Sequence, residues 1–138
     1  MSTIARSRHI SRQFDDELEN VREKVLTMGG LVEEQLNNAL RSLIEGNMEL
    51  SSAVIENEVE VNTYEVKIDQ ECTQILARRQ PAASDLRLVM AITKTITDLE
   101  RIGDEAEKIA KMAMELTEKQ GPKSYYIGIN AMGNLVST

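Results

Sequence analysis

The sequence predicts an all-α protein, an up-down-up bundle of three long helices. Three observations predict it. Apolar residues recur every three or four positions over three long stretches, which is the helical period. Hydrophobic residues make up 41% of the chain but aromatics only 3%, so the core is aliphatic, which suits packed helices better than aromatic-rich strands. Only Pro81 and Pro122 interrupt the 138 residues, which leaves room for long uninterrupted elements. No strand pattern competes.

The first helix is expected over residues 10–45. Its stripe runs through Ile10, Phe14, Leu18, Val21, Val25, Met28, Val32, Leu36, Ala39 and Leu43. Gly29 and Gly30 cost about 1 kcal/mol each against alanine in a helix interior, yet the stripe keeps its phase across them. One helix is expected, bent there or closely approached by a neighbour. Gly46-Asn47 is the first stop signal. Residues 1–9 form a basic arm: Arg6, Arg8 and Arg12 stand among twelve residues without an acid. Such an arm is a solvated tail or a contact for an anionic surface.

The second helix is expected over 48–79, with Leu50, Val54, Val61, Tyr64, Ile68, Cys72 and Ile75 on its stripe. Arg78 and Arg79 close it, where the helix dipole favours cations. Pro81 suits the first turn of a third helix over 81–119. There, Leu88, Ile92, Thr95, Leu99, Ile102, Ala106, Ile109, Ala113 and Leu116 alternate spacings of four and three, a heptad seam. At ~1.5 Å per residue the helices reach about 45–55 Å, and short links make neighbours antiparallel. Residues 120–138, ending "GPKSYYIGINAMGNLVST", read as a linker and the start of a further helix, a boundary cut short.

The net charge of −7 repels phosphate and argues against nucleic acid as a partner. Cys72 is the only cysteine, so no intramolecular disulfide forms, and its place on the stripe makes it a core residue. No apolar run approaches the ~20 residues of a membrane span. No signal peptide is visible, so a cytoplasmic protein is expected.

Two acid pairs are candidate sites. In "DLERIGDEAEKIA", residues 98–110, Glu100 and Asp104 are four apart and share a helix face at the shoulder of the apolar stripe. Like charges at that spacing repel, and a hard divalent cation turns the repulsion into ligation. Gly103 between them admits a close approach. Glu65 and Asp69 repeat the spacing on the second helix. Counting back from a turn near residue 80 sets the two pairs off by roughly 6–12 Å, too far to share one ion, with Glu58 or its neighbours level with Glu100. The competing reading is a solvated face: 23 of 138 residues are acids, so such pairs arise by chance, and Arg101 and Lys108 can neutralise them. His9 is the only histidine, which argues against a di-iron bundle oxidase. There is no phosphate-cradling glycine loop and no plausible nucleophile–base pair, so no enzyme is expected.

The stretch "ARRQPAASDLRLVMAITKTITDLERIGDEAEKIA", with "RHISRQFDDELENVREKVLTMGGLVEEQLNNAL" and "EVNTYEVKIDQEC" upstream, resembles the PhoU family over most of residues 8–115. The resemblance implies a cytoplasmic negative regulator of the phosphate-starvation response, peripheral to the inner membrane through its partners. Those would be the phosphate ABC transporter, near its ATPase subunit, and the sensor histidine kinase of a two-component system. It also implies metal binding, as Mg²⁺, Mn²⁺ or an Fe or Zn cluster, at an acid-x-x-x-Asp motif. Glu100 and Asp104 match that motif, and Glu65 and Asp69 are a second, weaker match. The family is built as a tandem of two three-helix bundles, each with an acid motif. This chain matches the first bundle and only the start of the second, from about Tyr125. One acid pair leaves most of a cation's coordination to water, so weak binding is expected. An uncovered apolar surface predicts a homodimer or higher oligomer. The alternative function is a structural dimerisation module whose acids are all solvated.

Overall fold

The computed structural model describes residues 2–78 and 82–120, with side chains over 12–78 and 82–119. Three α-helices follow one another: α1 (Ser2–Glu45), α2 (Met48–Arg78) and α3 (Ala83–Gln120). Each packs against both of the others. The backbone of α1 is helical from Ser2, well before its apolar stripe begins. Arg79, Pro81 and the segment 121–138 lie outside the described residues, so the expectations placed on them find no structural counterpart.

The α1–α2 turn follows the sequence signal. Gly46 takes φ 65°, a left-handed conformation open to glycine at little cost. The Asn47 amide reaches back to the Ser42 carbonyl at 3.1 Å, which closes the last turn of α1. The Asn47 side chain then caps α2, accepting from the Glu49 and Leu50 amides at 3.0 and 3.2 Å. Gly29 and Gly30 lie within continuous α1, and a Cβ at either would meet nothing within 4 Å. The close approach expected there is therefore absent; a neighbouring helix does not need that space.

The core is divided in two. The larger part joins Phe14, Leu18, Val21, Met28 and Val32 of α1 with Val61, Ile68, Cys72 and Ile75 of α2 and Val89, Ile92 and Ile96 of α3. The smaller joins Ala39, Val54, Ala106 and Ala110. Between them each helix contributes one residue that breaks the aliphatic core: Gln35, Glu58 and Gly103, all buried.

The heptad seam of α3 is real and keeps Ile92, Ala106 and Ala113 of the expected line, but its other buried positions lie one residue further along. Val89, Ile92, Ile96, Gly103, Ala106, Ala110, Ala113 and Thr117 are buried, whereas Leu88 and Ile102 are each 42% exposed. With half-buried Leu99 filling the step from Ile96 to Gly103, the spacing still alternates three and four. The buried line is the one carrying small residues past Gly103, because close helix packing favours them; the larger Leu88 and Ile102 flank it. In α1, likewise, Gln35 and Ser42 are buried where the apolar reading chose Leu36 and Leu43, which are only half-buried.

Candidate functional site: the acidic seam between α2 and α3

The α2–α3 interface gathers the acids. Glu58 is the innermost. It occupies the place on the α2 stripe between Val54 and Val61 and is 4% exposed. Its carboxylate lies on the α3 backbone at Gly103, where a Cβ would come within 2.9 Å of Oε1. From α1, Gln35 Nε2 donates to the Val54 carbonyl at 2.7 Å and to Glu58 Oε2 at 3.4 Å. Glu58 Oε1 is buried without a hydrogen-bond partner. Burial pushes the Glu58 carboxyl up from 4.5 to about 7; the Gln35 amide opposes the rise, and the charges of Glu107, Glu100 and Asp104 add to it.

With Glu58 at the level of Gly103, antiparallel counting puts Glu65 level with Ile96 and Asp69 with Ile92. A hollow of about 380 Å³ is lined there by Glu65 and Asp69 of α2 and by Thr93, Ile96 and Thr97 of α3. Glu100 falls between Glu58 and Glu65 and acts on both. The Glu65 carboxyl is raised chiefly by burial, then by the charges of Glu100 and Asp69. The two pairs singled out in the sequence thus border one seam, one helix each.

Lysines of α3 face the outer side of the seam. Lys108 pairs with Asp104 at 3.3 Å and with Glu105 at 3.4 Å, and Lys111 with Glu107 at 3.2 Å. These are exposed one-turn pairs, individually weak. Among the described residues no group of three or more Asp, Glu, His or Cys side chains is placed to hold a metal ion. Glu58 leaves one buried carboxylate oxygen without a hydrogen-bond partner, and an all-oxygen donor set is the kind a hard ion takes. Glu100 and Asp104 would hold such an ion from α3, with water completing the shell.

Sequence reading placed Glu58 level with Glu100 but did not single it out. The signal was the gap between Val54 and Val61: a strict alternation of three and four puts position 58 in the seam.

The PhoU domain matches residues 25–113, a span that includes Glu58, Glu65, Asp69, Glu100 and Asp104. The chain belongs to the PhoU family. It is 52% identical over 128 residues to the phosphate-specific transport system accessory protein PhoU homolog of Pseudomonas putida, covering 93% of this chain and 50% of that protein. It is 50% identical over 120 residues to the accessory protein PhoU of Escherichia coli K12, covering 87% of this chain and 50% of the relative. The crystal structure of PhoU from Pseudomonas aeruginosa superposes with a TM-score of 0.77 at 49% identity, over 88% of this chain and 58% of that one. The chain spans about half the length of the curated PhoU relatives it matches. The three-helix PhoU fold is therefore shared, and no described helix is long and apolar enough to cross a membrane.

Proposed function

We propose that this chain is a regulatory adaptor of phosphate uptake, not an enzyme. It would restrain the phosphate-starvation response by linking the phosphate ABC transporter, at its ATPase, to a sensor histidine kinase. The observation that carries this reading is its ~50% identity to proteins named as accessory to the phosphate-specific transport system. The site within it is the acidic seam, where Glu100 and Asp104, with Glu65 and Asp69 further along, take a divalent cation such as Mg²⁺ or Mn²⁺. When bound, such an ion supplies a local positive charge that offsets the crowded carboxylates. Glu100 and Asp104 position it from α3 on the bundle surface, and the α2–α3 packing holds that helix in register with Glu65 and Asp69 of α2. Exposed Leu26, Val59 and Met90 support self-association as part of the same reading.

The test of the regulatory role is genetic. Deleting the coding gene should derepress a phosphate-starvation reporter in phosphate-rich medium. An unchanged reporter counts against the role and leaves a structural helical module as the better account. The cation is tested separately, by calorimetric titration of Mg²⁺ and Mn²⁺ into metal-stripped protein beside E100A/D104A. Saturable binding that the double variant loses supports the site; its absence from the wild type removes it.

A further inference from the structure

We infer that the N-terminal half of α1 is the surface through which two copies of this chain associate, pairing antiparallel so that the basic end of each lies along the acidic stretch of the other. The inference rests on the self-association reading above and gives it a surface.

The levels of the helices set the geometry. Arg78, the last residue of α2, meets Glu17 of α1 at 3.7 Å. Gln35 of α1 donates to Glu58, and Glu58 lies on Gly103 of α3. Counting back from that shared level along the parallel α1 and α3 sets Ala83, the first residue of α3, level with Asp15. The other two helices therefore end where α1 still has residues 2–13 to run, about 18 Å at ~1.5 Å per residue. A lone helix of that length is marginal in water, and no described residue of α2 or α3 is level with it. Ile10 carries the apolar stripe into this extension, one turn before Phe14. A partner from outside the bundle would stabilise it.

The charges along α1 point to the partner. Arg8, Arg12, Asp15, Glu19 and Glu23 succeed one another at spacings of three and four, which puts these positions on one face. Two cations are followed by three acids on that line, and residues 1–12 contain no acid. Arg12, Asp15, Glu19 and Glu23 are exposed. Among the described residues Arg12, Asp15 and Glu23 make no ion pair, and Glu19 meets Arg22 only at 3.9 Å. Turned antiparallel about a two-fold axis between positions 13 and 14, the line is its own complement. Position 12 falls level with 15 of the other copy and 8 with 19, and the symmetry repeats both pairs. Leu26, 73% exposed, ends the same line, level with the first turn of the other copy's α1. An anionic bilayer would repel the acids that follow the arginines, and three arginines are few for one. A second copy answers both signs.

The experiment is sedimentation velocity over a concentration series, on wild type, R8E/R12E, D15R/E19R and an equimolar mixture of the two variants. Wild type should form a dimer that weakens about tenfold as salt rises from ~0.05 to ~0.5 M. Each double variant should be monomeric, because like charges then face each other along the line. The mixture should recover a dimer of one copy of each, since the two reversals complement one another, and that recovery shows that both variants kept their fold. If either double variant alone dimerises as tightly as wild type, self-association stands and this surface is wrong. If wild type is a monomer throughout, both readings fall. Wild-type monomer that binds phosphatidylglycerol vesicles, with R8E/R12E failing to, would overturn the pairing in favour of a lipid surface.

Discussion

The carboxylate of Glu58 rests on the backbone of Gly103, so closely that a Cβ there would lie 2.9 Å from Oε1 and 3.1 Å from Oε2. Alanine in place of a mid-helix glycine gains about 1 kcal/mol in helix propensity. In the wild-type background Gly103→Ala should lose that gain, because the buried carboxylate has to move. In a Glu58→Ala background the same change should stabilise by about 1 kcal/mol. Urea melts of the four proteins measure the coupling, and purely additive effects would show that the contact does not matter.

Metal-free stability should depend on pH through Glu58. Its folded value of about 7 lies above the ordinary 4.5, so the folded state holds the proton more tightly than the unfolded one. This contribution is complete below pH ~4.5, declines as pH rises towards 7 and is lost above it. At about 1.4 kcal/mol per unit it amounts to at most about 3.5 kcal/mol. Glu58→Gln should remove this slope and be more stable than the wild type at pH 8. Parallel pH profiles for the two proteins would assign the slope to other groups.

Burial on α3 predicts which isoleucine matters. Ile96 is 2% exposed and Ile102 is 42% exposed. Ile96→Ala should cost about 2–5 kcal/mol, and Ile102→Ala about 1 or less, since little of its surface is removed from water. The reverse order in denaturant melts would restore the seam expected from the large residues.

Across the α1–α2 interface Lys24 donates to Glu71 Oε1, with both side chains mostly buried. The second oxygen of Glu71 is buried without a partner. Lys24→Met should therefore cost about 1–3 kcal/mol, and Lys24→Met with Glu71→Gln should recover part of it. A double variant less stable than the sum of the singles would oppose this.

Cys72 sits in the larger core cluster, 2% exposed, and burial, with the charges of Asp69 and Glu71, raises its thiol. Thiol reagents should label it only as the bundle opens, at a rate that follows urea concentration through unfolding. Rapid labelling in native buffer would mean that this part of the core opens locally.

Much of the fold was legible in the chain. The stop at Gly46-Asn47 was readable because it is local: a left-handed residue and an amide cap need only their own turn. Glu100 and Asp104 were legible as a pair on one face, and Glu65 and Asp69 as another. What they border was not. Glu58 was passed over because an acid on an apolar stripe reads as an interruption. Leu88 and Ile102 were chosen because large side chains read as core.

The sequence by itself determined three helices, their order, their period of three and four, and the antiparallel levels that set Glu65 against Ile96. Those follow from backbone geometry and short links, which act within a helix or across one turn. Only the tertiary structure decided which line of α3 is buried, and that Glu58 enters the core. The periodicity of one helix locates its inner face only to within a residue. The choice belongs to the partner: α2 brings a carboxylate to the level where α3 carries no side chain, and the helices close around Gly103, Ala106 and Ala110 because small residues let them.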